Sequence, residues 1–156
     1  MVHEQTKTDR GRDMPSIRQV SVFTENRIGA LAELLSTFDS TKVRIMALAV
    51  IQGFDCAIVR FVFNDTDAAA KELSEANYRF TICDLVAVEM PQGGVGLQKI
   101  SKALLSAEID IHYCYALITS EKINGSIVVH VDNPSLAAMV LSEEGFHLLD
   151  ENDLRN

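Results

Sequence analysis

Two short segments join a glycine to the start of a helical hydrophobic pattern. They are Asn26-Arg27-Ile28-Gly29-Ala30-Leu31 and Gly93-Gly94-Val95-Gly96-Leu97. A helix start presents unpaired backbone N–H groups and a partial positive charge, so it can hold a carboxylate or phosphate without a cationic side chain. Glycine at that point lets a ligand approach the main chain closely. Gly29 and Gly96 would equally serve tight packing of a helix on a sheet. Spacing alone does not choose between the two roles.

Other residue types offer less. The histidines are scattered: His3 in a polar amino-terminal stretch, His112 and His130 in strand-like runs, and His147 near the end. None has a partner at the spacing of a zinc site, and His112 with His130 reads as a structural pair across a hairpin, so no metal is expected. Serine supplies no G-x-S-x-G nucleophile elbow. Gly93 to Gly96 lacks the Lys-Ser/Thr ending of a phosphate loop and the parallel βαβ setting of a dinucleotide fingerprint. Acidic runs such as Ser142-Glu143-Glu144 and Asp150-Glu151-Asn152-Asp153 read as solvated surface. The chain is therefore expected to have no catalytic residues and no cofactor.

The elements that would position the two turns can be read from periodicity. Ile17–Thr24 alternates as a strand with Val20 and Val22 on one face. Ile28, Leu31, Leu34, Leu35 and Phe38 recur at helical spacing, with Asn26 as the expected N-cap. Val43–Ile51 and Asp55–Phe63 form a hairpin about Gln52-Gly53-Phe54, and an alanine-rich helix follows the caps at residues 64–67. Phe80–Met90 is a strand long enough to close one unit and open the next, with a kink near Asp84-Leu85.

The order then repeats. After Pro91-Gln92 comes a helix carrying Val95, Ile100, Leu104 and Leu105. Ile109–Thr119 and Ser126–Val131 flank a turn at Lys122-Ile123-Asn124-Gly125, where Asn-Gly is a strong hairpin signal. Asn133-Pro134 opens a last helix, Gly145 stops it, and Phe146–Leu149 closes the unit. Ile28-Gly29 answers Val95-Gly96 at 67 residues, Val43-Arg44-Ile45 answers Ile109-Asp110-Ile111 at 66, and the run from Ile58 answers the run from Ile127 at 69. Such drifting offsets mark a duplicated domain. The fold class is α+β: two ferredoxin-like βαββαβ units in tandem, each with an antiparallel sheet. Residues 1–16 are expected as a disordered tail, 17–84 and 85–150 as the two units, and 151–156 as a carboxyl-terminal tail.

Composition narrows the class further. The chain has 156 residues, is 47% hydrophobic and carries a net charge of −8, which disfavours nucleic acid as a partner. Three cysteines without a CxxC pair suit free thiols in a reducing cytoplasm. No apolar run reaches the ~18 residues that span a bilayer. The strand from Val43 places Ile45, Ala47, Ala49 and Ile51 on one face and Met46, Leu48 and Val50 on the other. A strand apolar on both faces is covered on both, so pairing within the chain and a homodimer are expected.

A strand, then Asn26 to Leu31 opening a helix with Leu34, Leu35 and Phe38, then hairpin, helix and strand, resembles an ACT domain. The entry motif of that family is close to Asp-Arg-Pro-Gly-x-Leu. The resemblance runs from about Ile17 to Leu149 in two copies, as in small stand-alone proteins built of paired ACT domains. It implies a regulatory protein that binds an amino acid or similar small carboxylate at an interface between ACT units, the carboxylate meeting the strand–helix turn. The alternative it implies is a regulatory subunit docking on an enzyme of amino-acid biosynthesis. Asn26 stands for the family Asp, Gly29 and Leu31 match, and Ile28 replaces Pro. In the second copy Gly93 replaces the acidic residue and Leu97 follows Gly96 directly, so that turn is expected to be unoccupied or to serve pairing.

Overall fold

In the computed structural model, residues 14–90, 93–118 and 124–155 are described. The expected tail up to residue 13, the break at Pro91-Gln92 and the turn residues 119–123 lie outside them. The elements are β1 Ile17–Glu25, α1 Ala30–Ser36, β2 Ile45–Gln52, β3 Cys56–Phe63, α2 Thr66–Glu75 and β4 Arg79–Glu89. They continue as α3 Gly94–Ser106, β5 Ile111–Ala116, β6 Ser126–Val131, α4 Pro134–Glu143, β7 Leu148–Leu149 and α5 Glu151–Leu154. The chain divides into one unit holding Arg18–Cys83 and a second holding Asp84–Asp153, with Leu154 onward grouped with the first.

In the first unit the strands lie in the order β2-β3-β1-β4, and β3 is antiparallel to both of its neighbours. In the second the order is β5-β6-β4-β7, again antiparallel. Each unit thus has the βαββαβ order expected of it.

Each sheet buries one face under its two helices. In the first unit Val20, Val22, Val59, Phe61 and Phe63 meet Leu34, Phe38, Ala69 and Leu73. The rings of Phe61 and Phe63 stack at 5.0 Å, and Phe38 lies 5.0 Å from Phe63. In the second, Val86, Val88, Ile127, Val129 and Val131 meet Ile100, Leu104, Ala137 and Leu141. Burying an aliphatic or aromatic side chain of this kind contributes about 1.5–3 kcal/mol.

Two helices begin as their sequences dictate. Asp65 accepts a hydrogen bond from the Ala68 N–H at 3.1 Å, and Asn133 accepts one from Leu136 at 3.1 Å, with Pro134 at the first helical position. Helix ends are closed by paired backbone bonds: Phe146 donates to the Leu141 carbonyl and Gly145 to Ser142. Ile109 and Glu108 do the same at the end of α3, and Tyr78 and Asn77 at the end of α2. The turning residues Gly145, Glu108 and Asn77 all have positive φ.

Several sequence expectations change. The first helix is short, starts at Ala30, and leaves Ile28 outside it and fully exposed. Its N-cap is Gly29, not Asn26. On α3 the buried positions are Gly96, Ile100 and Leu104, four apart, while Val95 and Leu105 face solvent. A β-bulge between Ile45 and Ala47 resets the faces of β2: Ile45 pairs with Phe63, Leu48 with Phe61 and Val50 with Val59, all on the helix side. An alternating pattern cannot show this, because one extra residue exchanges the faces on either side of it. The pairings also correct an offset. Val20 faces Phe61 and Val86 faces Val129, so β3 and β6 correspond at 68 residues rather than 69. The carboxyl end, expected as a tail, forms α5 with Glu151 and Leu154 buried.

Candidate functional site

The first turn is short of what an anion needs. Gly29 has φ 87° and carries no side-chain cap, and the turn is closed by Ala30 N–H to the Arg27 carbonyl at 3.3 Å and Glu33 N–H to Gly29 at 3.0 Å. Asn26 turns away from the helix and donates to the Gly53 carbonyl at 3.1 Å, tying the turn to the β2–β3 hairpin. Ala30 is buried and Leu31 packs on the core.

Arg27 is spent within the turn: its Nε reaches Glu25 at 2.6 Å and its terminal nitrogens reach Glu33 at 2.6 and 3.1 Å. The hydrogen bonds to Glu33 and then Glu25 hold the guanidinium above its ordinary pKa, and the bond from Arg27 holds the Glu33 carboxyl below its own. Two carboxylates beside a seven-residue helix oppose an incoming anion.

The second turn is built differently. Gly93 has φ 60° and ψ −129°, and it precedes a thirteen-residue helix with no acidic residue in its first turn. Gly93 N–H bonds the Met90 carbonyl at 3.1 Å and Gly96 N–H bonds Gly93 at 2.9 Å. Gly93, Gly94 and Val95 are exposed, whereas Gly96 is buried, and a Cβ placed on it would come within 3.3 Å of the Met90 side chain. Glycine here does serve close packing, and the packing it permits borders a cavity.

That cavity, about 250 Å³, is lined by Glu89, Met90, Gly96, Lys99, Glu144, Gly145, Phe146 and His147. It lies between the head of α3 and the end of α4, beside the last residues of β4. Glu89 is oriented by the Asn124 side-chain amide at 2.8 Å. The left-handed Gly145, φ 88°, turns the chain so that Phe146 and His147 follow Glu144 into the same wall. The volume falls just under the roughly 300–1,000 Å³ of drug-sized sites, which suits a small metabolite. One ammonium, two carboxylates and two large apolar side chains line it together.

Sequence reasoning placed Gly96 at a site and missed the rest. Glu144 reads as solvated surface and His147 as a stray residue, because only the folding of α4 against α3 brings them to Lys99. The signal available was Gly145, whose stop places whatever follows it next to the helix end. Among the described residues, no group of three or more His, Cys, Asp or Glu side chains could hold a metal ion, and no helix is long and apolar enough to cross a membrane.

The pattern of the family described as ACT domain pair matches residues 15–156. The chain belongs to the ACT domain pair family. The family and the fold class read from the sequence are both borne out. Among solved structures, protein BT0572 from Bacteroides thetaiotaomicron is 26% identical, with 92% of this chain and 98% of that one covered and a TM-score of 0.81. The ligand-free regulatory subunit of aspartate kinase from Thermus thermophilus is 11% identical, covers 83% of this ACT pair and 92% of its own chain, and has a TM-score of 0.55. Its counterpart from Thermus flavus is 14% identical over the same shares, at 0.52. These two share the fold. No curated protein matches the chain.

Proposed function

We propose that this ACT domain pair binds a free amino acid as a regulatory signal, performs no chemistry itself, and seats its ligand in the second unit at the head of α3. The observation that carries the reading is the cavity against Gly96, which offers both signs of charge to one small molecule. Lys99 and the first N–H groups of α3 meet the ligand carboxylate, Glu144 and Glu89 meet its ammonium, and Met90 and Phe146 receive its side chain. The first turn, with Arg27 already paired to two carboxylates, serves structure instead. The protein acts in the cytoplasm as a homodimer.

The test is thermal unfolding of the full chain against each of the twenty amino acids. A true ligand at 100 times its dissociation constant stabilises by about 2.7 kcal/mol. Lys99→Met and Glu144→Gln should each weaken that ligand at least tenfold without lowering the ligand-free midpoint. No shift with any amino acid would overturn the reading. A shift insensitive to both variants would move the site elsewhere. A second reading, docking on an amino-acid biosynthetic enzyme, is favoured by Leu48, Val50 and Ile51, which remain exposed on the edge strand β2. It predicts retention of such an enzyme from a lysate, lost on Val50→Lys.

A further inference from the structure

The second unit carries a feature that amino-acid binding does not use. A bulge between Ile111 and Tyr113 takes His112 out of the β5–β6 register, while Tyr113 pairs with His130. The Nδ1 atoms of His112 and His130 come to 3.0 Å. The Asp110 carboxylate lies 3.7 Å from Nε2 of His112, and the Tyr113 ring stacks on His130 at 4.7 Å and 5°. In the first unit the corresponding register positions are the bulged Met46 and Val62, so a pair of apolar residues is replaced here by a pair of imidazoles.

Each neighbour has a chemical consequence. At 3.7 Å the exposed Asp110 carboxylate makes no hydrogen bond to His112 and adds only a nearby negative charge, while the short Nδ1–Nδ1 distance turns one ring nitrogen of each imidazole toward the other. Stacking on Tyr113 restricts rotation of the second ring. With metal–nitrogen bonds of about 2.0–2.1 Å, nitrogens 3.0 Å apart subtend roughly 91–97° at a shared ion. A tetrahedral ion would separate them to about 3.3 Å. Right-angle nitrogen donors suit the tetragonal preference of Cu²⁺ or Ni²⁺.

We propose that His112 and His130 form a two-nitrogen chelate for a divalent ion of this kind, water filling the other coordination positions. His112 is exposed and His130 half-buried, so the site is reached directly from solvent.

The experiment is calorimetric titration of Ni²⁺ and Cu²⁺ into the full chain carrying His3→Ala, which removes the tail imidazole as a competing ligand. One ion per chain is expected, with affinity falling at least tenfold in His112→Gln and in His130→Phe. The Cu²⁺ electron paramagnetic resonance spectrum should show two coupled imidazole nitrogens, reduced to one in either histidine variant. His112 lies at an exposed bulge, so its variant keeps the test valid if His130→Phe unfolds. Unchanged affinity in His112→Gln, or a spectrum without paired nitrogens, would overturn the proposal.

Discussion

Gly93 and Gly94 are neighbours at the head of α3, yet replacing each by alanine should move stability in opposite directions. A Cβ at either position meets no atom within 4 Å, so crowding contributes nothing and the backbone decides. Gly93 has φ 60° and ψ −129°, far from the left-handed well near ψ +47° and in a region that only glycine occupies readily. Forcing alanine there costs about 1–3 kcal/mol. Gly94 begins the helix without positive φ, so alanine reduces the freedom of the unfolded chain and stabilises by about 0.4–1 kcal/mol.

The two variants should therefore differ by about 1.5–4 kcal/mol. For a chain of this size, thermal midpoints move roughly 2–4 °C per kcal/mol. Gly93→Ala should melt several degrees below the parent and Gly94→Ala slightly above it. Urea unfolding gives the same order with an unchanged slope. Gly93→Asn should do no better than alanine, because asparagine eases only the left-handed well. Shifts of the same sign, or a Gly93→Ala protein as stable as the parent, would refute the reasoning.

Two further outcomes are expected. Phe61→Ala should cost about 3–5 kcal/mol by denaturant unfolding, since the ring is wholly buried and stacked on Phe63. In Arg27→Gln, an NMR titration should find the Glu33 carboxyl returned upward toward its ordinary range. Because its folded pKa lies below the unfolded one, this pairing supports stability above the unfolded value of about 4.3 and is lost as pH falls through the folded value. The variant should lack that part of the acid response.

Most of the architecture was legible because it rests on local pattern. Val20 with Val22, Leu34 with Phe38, and Asn133 with Pro134 each declare an element through spacing or cap chemistry alone. The errors fall where one residue changes a phase or where distant segments meet. Ile28 fits the helical period yet precedes a left-handed glycine, so it never enters the helix. Leu48 and Val50 share a face with Ile45 only because Met46 is extra. The cavity escaped for a different reason: Lys99 and Glu144 are 45 residues apart, and nothing local marks them as neighbours. The sequence favoured the first turn by its motif, while the site proposed above is the second, where the first turn of α3 carries no acidic residue and Lys99 joins the two carboxylates of the cavity.

The bulges at Ile45/Ala47 and Ile111/Tyr113 fall at the same place in each half, 66 residues apart. Both halves therefore bend the same strand at the same point, and Met46 and His112 take the same place in the fold with different chemistry. A bulged residue has no partner opposite it in the ladder, so its side chain is not held to the complement of a neighbour. The equivalent point in the two halves is thus where an apolar residue and an imidazole can be exchanged without altering the sheet on either side.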